Sequence, residues 1–134
     1  MKAATEMKFR RCSRRCNGTR CRRPRAGQIG RTAYGVRYNS DDEGNFDYLC
    51  GVEVCHFSRL SASLTAIKVP AQKYAVFRHC EHISTIRSTW MTIWNKWLPE
   101  SGHEVVDAPD FERYGEEFDG RTGNGGLELW LPIQ

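Results

Sequence analysis

The sequence predicts an α+β fold built from a tandem strand–helix–strand–strand module. Three observations carry this reading. Two stretches have the alternation and central turn of β-hairpins, one strongly periodic helix lies between them, and the hairpins correspond when the chain is shifted by 80 residues. At 134 residues the chain has the length of one ordinary domain. Four Trp and an apolar fraction of 40% exclude wholesale disorder.

The first hairpin begins at Arg31. "RTAYGVRYN" reads as a strand, "SDDEG" as a polar turn punctuated by Gly44, and "FDYLCGVEV" as the returning strand. "SRLSASL" reads as a loop. "LTAIKVP" and "KYAVFRH" bracket Pro70, and read as one strand broken by a turn or bulge, or as two short strands. The helix follows in "STIRSTWMTIWNKWLPESG". Ile86, Trp90, Ile93 and Trp97 recur at helical spacing, Glu81 or Ser84 lies near the start, and Pro99 and Gly102 mark the end. "APDFERYGEEFD", the "GRTGNGG" turn and "LELWLPI" form the second hairpin.

The 80-residue shift places Tyr34 on Tyr114, Gly35 on Gly115, Tyr38 on Phe118, Asn39 on Asp119 and Leu49 on Leu129. The second unit is complete. The first should hold a strand and a helix before Arg31, yet residues 4–18 lack Trp, Leu and Ile. The first module is therefore expected to be incomplete. The Arg/Cys-rich run is also what a shifted reading frame of a GC-rich gene yields, which the bases upstream would decide.

Charge divides the chain at the same place. Residues 1–25 carry ten Lys or Arg against one acid, Glu6, while the remainder carries ten basic and fifteen acidic residues. Residues 1–26 are expected to form a basic, solvated and partly disordered head, with residues 27–134 as the folded domain. A basic arm can touch nucleic acid, but here no aromatic residues are interleaved for base stacking. No apolar run approaches the ~18 residues that span a bilayer, and no apolar segment follows the N-terminal charges, so a cytoplasmic location is expected. The six Cys are then read as reduced thiols. The spacing of Cys12, Cys16 and Cys21 does not match a zinc knuckle, and neither Cys55 and His56 nor His79, Cys80 and His82 complete one. No metal and no cofactor is expected.

With these elements in place, "VPAQKYAVFRH", "IWNKWLPESGHEVVDAPDFERY" and "LELWLPI", with "YNSDDEGNFDYLCGVEV" in the first half, resemble a GyrI-like small-molecule-binding domain. This domain forms the effector-binding part of AraC-type and multidrug-sensing bacterial regulators. The resemblance covers residues 27–134. It implies two modules about a pseudo-twofold sharing a curved antiparallel sheet, with a central groove for amphipathic, often cationic, compounds. The family includes stand-alone domains, among them mobile-gene-cassette proteins, and this chain is expected to be one.

Along "DFERY", Glu112 and Tyr114 share one face of a strand. In the last strand Leu127, Leu129, Leu131 and Ile133 should pack on the helix, leaving Glu128 and Trp130 to face the groove with Glu112 and Tyr114 as neighbours. Glu112 and Glu128 match positions where drug-binding relatives carry acids. Tyr34, Glu53 and Trp94 are further candidates for the wall, and Trp90 and Trp97 are assigned to the core. Asp110, Glu116, Glu117 and Asp119 are assigned to solvent. A carboxylate among rings is costly to desolvate alone, and a cation supplies its partner with cation–π help.

The leading expectation is a binding domain for amphipathic, cationic small molecules that senses drugs or toxins. Hydrolysis of strained, cyclopropane-bearing toxins with Glu112 as general base is the alternative that the resemblance permits. No Ser-His-Asp, metal or phosphate-loop motif supports an enzyme. A gyrase or nucleic-acid partner is the third reading. A homodimer is expected if loss of the first strand leaves a sheet edge open.

Overall fold

The computed structural model describes residues 2–4, 7–11, 28–54 and 66–134, with side chains from residue 32 onward in these stretches. Among the described residues eight strands form one antiparallel sheet: β1 (Lys2–Ala4), β2 (Met7–Arg11), β3 (Gln28–Tyr38), β4 (Asp47–Val54), β5 (Ala66–Val69), β6 (Gln72–His79), β7 (Asp110–Tyr114) and β8 (Leu127–Pro132). The spatial order is β1-β6-β8-β7-β3-β4-β2-β5. Exchanging each strand with the one four places later returns this order read backwards. The tandem module is therefore real at the level of topology.

The first module has its opening strand. β1 pairs with β6, and β2 pairs with both β4 and β5. The strands whose loss would have left an open edge are thus supplied by β1 and β2 of the basic head. The remainder of the head and the loop expected at 58–64 lie outside the described residues, as do Cys12, Cys16, Cys21, Cys55 and His56.

Pro70 separates two strands, and they do not pair with each other. β5 lies at one end of the sheet, while β6 lies one strand in from the other end. Three peptide steps join Val69 to Gln72, a reach of roughly 10–11 Å. The same is true of Ala4 and Met7. Two margins tied so closely require the sheet to roll up, which gives it its curvature.

The helical segment lies across one face of this sheet. A 3₁₀ turn (Ile83–Thr85) leads into α1 (Ile86–Thr92), a π-turn (Ile93–Trp97) and α2 (Leu98–Ser101). Pro99 cannot donate to the carbonyl four residues back, and the ladder widens in the turn before it. Gly102, at φ 72°, ends the helix in the left-handed region that favours glycine. The packed face is as patterned: Leu127, Leu129, Leu131, Ile133, Ala75 and Ile93 form one core, with Trp90, Trp94 and Trp97 against it. Phe77 meets Trp97 edge-on at 4.7 Å. On the opposite face Tyr34, Val36, Leu49, Val69, Tyr74, Phe111 and Trp130 form a second core. No helix among the described residues is long and apolar enough to cross a membrane.

Directly opposed residues of antiparallel strands share a face. Tyr34 opposes Arg113 and Ala33 opposes Tyr114. Tyr34 and Tyr114 therefore point to opposite faces, although the 80-residue shift superposes them. The modules are related by topology, and that shift is not their geometric offset.

β7 is shorter than the alternation suggested and stops at Tyr114. Glu116, Glu117 and Asp119 fall in the exposed turn beyond it. Asp110 does not, and its expected solvation is corrected: it is 7% exposed, because Arg37 stands directly opposite on β3 and pairs with it.

Candidate functional site

The site is organised by two register pairs between β3 and β7: Gly35 opposes Glu112, and Arg37 opposes Asp110. All four lie on the face that carries the helix. A cavity of about 390 Å³ opens there, between sheet and helix. Gly35, Arg37, Phe46, Tyr48, Asp110 and Glu112 line it from the sheet side, and Ile86, Arg87, Trp90, Met91 and Trp94 from the helix. Such a volume suits a small organic ligand.

Glu112 is held by two neutral donors. The indole N–H of Trp90 donates to Oε1 at 3.0 Å, and the hydroxyl of Tyr114 donates to Oε2 at 2.5 Å. Among the described residues no cation forms an ion pair with it. Burial pushes the Tyr114 phenol far above the ordinary range, and the Glu112 charge and their hydrogen bond push it further. Tyr114 therefore stays protonated and keeps donating.

The second carboxylate is treated differently. Arg37 Nε donates to Asp110 Oδ1 at 3.0 Å, and Nη2 donates to Oδ2. The guanidinium lies 5.2 Å from the centroid of the Phe46 ring. Gly35 makes room for the wall: a Cβ there would lie 2.1 Å from the Tyr48 hydroxyl and 3.4 Å from Glu112 Oε2. Phe46, Tyr48 and Met91 are the large apolar residues left at least half exposed among the described residues, and all three border the cavity.

The candidates from sequence divide into two groups. Glu112, Tyr114 and Trp94 belong to the helix-facing side; Glu112 and Trp94 line the cavity, and Tyr114 supports Glu112. Tyr34, Glu53, Glu128 and Trp130 lie on the other face. The shared groove expected for Glu112 and Glu128 is thus corrected. Register opposes Glu112 to Leu129 and Arg113 to Glu128, so the two acids point to opposite sides. There Arg113 Nη1 lies 3.6 Å from Glu128, and the Trp130 indole donates to the same carboxylate at 3.0 Å. Trp130 stacks on Phe111 at 5.2 Å. Tyr34 donates to Glu53 at 3.4 Å, and burial followed by the Glu53 charge raises its pKa. Both rings are core residues, 6% and 9% exposed.

Trp90 packs against the core as assigned and also lines the cavity, a second role that sequence reading missed, together with Arg37, Gly35, Phe46, Tyr48 and Met91. One signal was available. A glycine inside a strand pattern, as in "AYGVR", marks a place where something approaches the backbone closely. His79, one of the candidate ligands, is hydrogen-bonded within the fold: its ring nitrogens meet Thr89 Oγ1 at 2.7 Å and the His82 carbonyl at 3.0 Å.

Comparison with known proteins places this geometry in context. The family model for the GyrI-like small-molecule-binding domain matches residues 22–134. The transcriptional regulator BrlR of Pseudomonas aeruginosa is 35% identical over 91 residues, 67% of this chain and 34% of BrlR. A DNA gyrase inhibitor of Erwinia billingiae is 26% identical over 65 residues, 48% of this chain and 41% of the inhibitor. The matched parts thus span about a third of BrlR and two-fifths of the inhibitor. Among solved structures, SAV2435 bound to tetraphenylphosphonium superposes with a TM-score of 0.64 at 14% identity, covering 99% of this chain and 92% of SAV2435.

Proposed function

The chain belongs to the family of GyrI-like small-molecule-binding domains, and from that premise we propose that it takes an amphipathic cation into the cavity between helix and sheet. The observation that carries the proposal is the environment of Glu112. Its carboxylate is half-buried, aimed by Trp90 and Tyr114, and no cation among the described residues pairs with it. A charge so placed gains from a cationic guest, since neutral donors orient it but leave its charge in place. Trp90, Trp94, Tyr48 and Phe46 offer ring faces, each worth about 0.5–2 kcal/mol to a cation. The apolar residues at the mouth cover the hydrocarbon part of such a ligand. The tetraphenylphosphonium held by SAV2435, a protein of the same fold, supports this ligand class.

Coupling of that binding to regulation, as the match to BrlR suggests, is part of the proposal. So is the cytoplasmic setting.

Titration with tetraphenylphosphonium, followed by tryptophan fluorescence, tests it. Glu112→Gln keeps the size and one acceptor but removes the charge. Affinity should fall roughly tenfold or more, about 1.4 kcal/mol. Equal affinity of parent and variant would remove Glu112 from the site.

A further inference from the structure

Two carboxylates border the cavity, and their charges are met in different ways. Among the described residues, Glu112 receives only neutral donors. Asp110 is gripped on both oxygens by Arg37. The grip is built by the sheet itself, because the two residues are directly opposed in register. The Phe46 ring faces the guanidinium, whose central carbon lies 5.2 Å from the ring centroid. The Arg37 side chain is 36% exposed and that of Asp110 is 9% exposed, so the cation stands between the acid and the open side.

Resting on the cavity reading above, we infer that Arg37 is a specificity-determining residue that limits the site to one positive charge by occupying the second carboxylate. A guanidinium–carboxylate fork is planar and fixed, and it presents no net charge to a guest. A dication would seat one charge at Glu112. Its other charge would leave water for a neutral pair, and ring faces alone do not offset that desolvation without a counter-ion. Arg87, exposed on the helix at the cavity wall, opposes a second positive charge as well. The selection concerns charge number, so it acts on ligands of similar outline.

A matched pair of probes tests this. N-methyl-4-phenylpyridinium and methyl viologen share a two-ring outline and carry one and two charges. Calorimetric titration of the parent protein should show the monocation bound roughly tenfold or more tighter. Arg37→Met should bring the two within about threefold by tightening the dication. Removing both partners, in Arg37→Met with Asp110→Asn, should restore the preference for one charge. An unchanged ratio in Arg37→Met overturns the inference. If circular dichroism shows that this variant is unfolded, Asp110→Asn alone is decisive: it releases the Arg37 charge into the cavity and should weaken both probes about tenfold. Unchanged binding there also overturns the inference. If the parent binds both probes equally, the inference falls while the cavity reading stands. If it binds neither probe, the inference falls, and tetraphenylphosphonium titration then decides the cavity reading separately.

Discussion

The indole of Trp90 donates to the carboxylate of Glu112 across 3.0 Å, a hydrogen bond that ties the helix to the sheet and fixes the charge inside the cavity. Trp90→Phe keeps a ring against the core and removes the donor. Glu112 retains Tyr114, so the loss should stay within about 1.5–3 kcal/mol of stability, the range for a hydrogen bond to a charged group. Urea unfolding at neutral pH measures it. Tetraphenylphosphonium affinity should fall several-fold in the same variant, because the carboxylate is no longer aimed. A stability loss below ~0.3 kcal/mol would mean that solvent replaces the indole without cost.

Tyr34, Tyr74 and Tyr114 all have their phenols pushed above the ordinary value of 10.0, each chiefly by burial. The sign of the resulting pH dependence follows directly. In the unfolded chain these groups lose protons as pH passes about 10, while the folded protein keeps them. The folded state then binds more protons, so stability is intact below pH 10 and falls above it. Each phenol contributes up to about 1.4 kcal/mol per pH unit. Urea melts from about pH 8 to about pH 11.5 should show the decline, and Tyr114→Phe should make it shallower by one residue's share. An identical slope in the variant would contradict the burial of Tyr114.

Gly35→Ala tests the wall. The added Cβ would lie 2.1 Å from the Tyr48 hydroxyl and 2.9 Å from its ring carbon, but Tyr48 is 50% exposed and can swing outward. Stability should change by no more than about 1 kcal/mol, helped by the better strand propensity of alanine. Affinity for tetraphenylphosphonium should drop several-fold as Tyr48 leaves its place. Thermal melting and fluorescence titration separate the two effects. A destabilisation above ~3 kcal/mol would show that Tyr48 is locked in position.

Much of this arrangement is legible in the residues themselves. The helix shows in the spacing of Ile86, Trp90, Ile93 and Trp97, and the packing face of β8 shows in Leu127, Leu129 and Leu131, because burial imposes those periods. Strand register is another matter. Nothing local in "DFERY" states whether Glu112 opposes Leu129 or Glu128, and a slip of one residue exchanges the faces. That ambiguity put Glu112 and Glu128 in a common groove. The partner of Asp110 is Arg37, 73 residues away, which is why a buried, paired acid looked like a solvated one. Pro70 announces a break but not that the chain crosses to the other side of the sheet there.

That crossing has a mechanical consequence. Pro70 and Ala71 act as a short latch between the two margins of the sheet, and the wall bearing Glu112, Arg37 and Gly35 cannot flatten without tearing strands apart. In the proposed binding mode, guests of different girth are then accommodated by the opposing jaw, the helix carrying Trp90, Met91 and Trp94. Changes in appetite for new compounds should therefore accumulate along that jaw, while the strand residues serve as an unyielding mould.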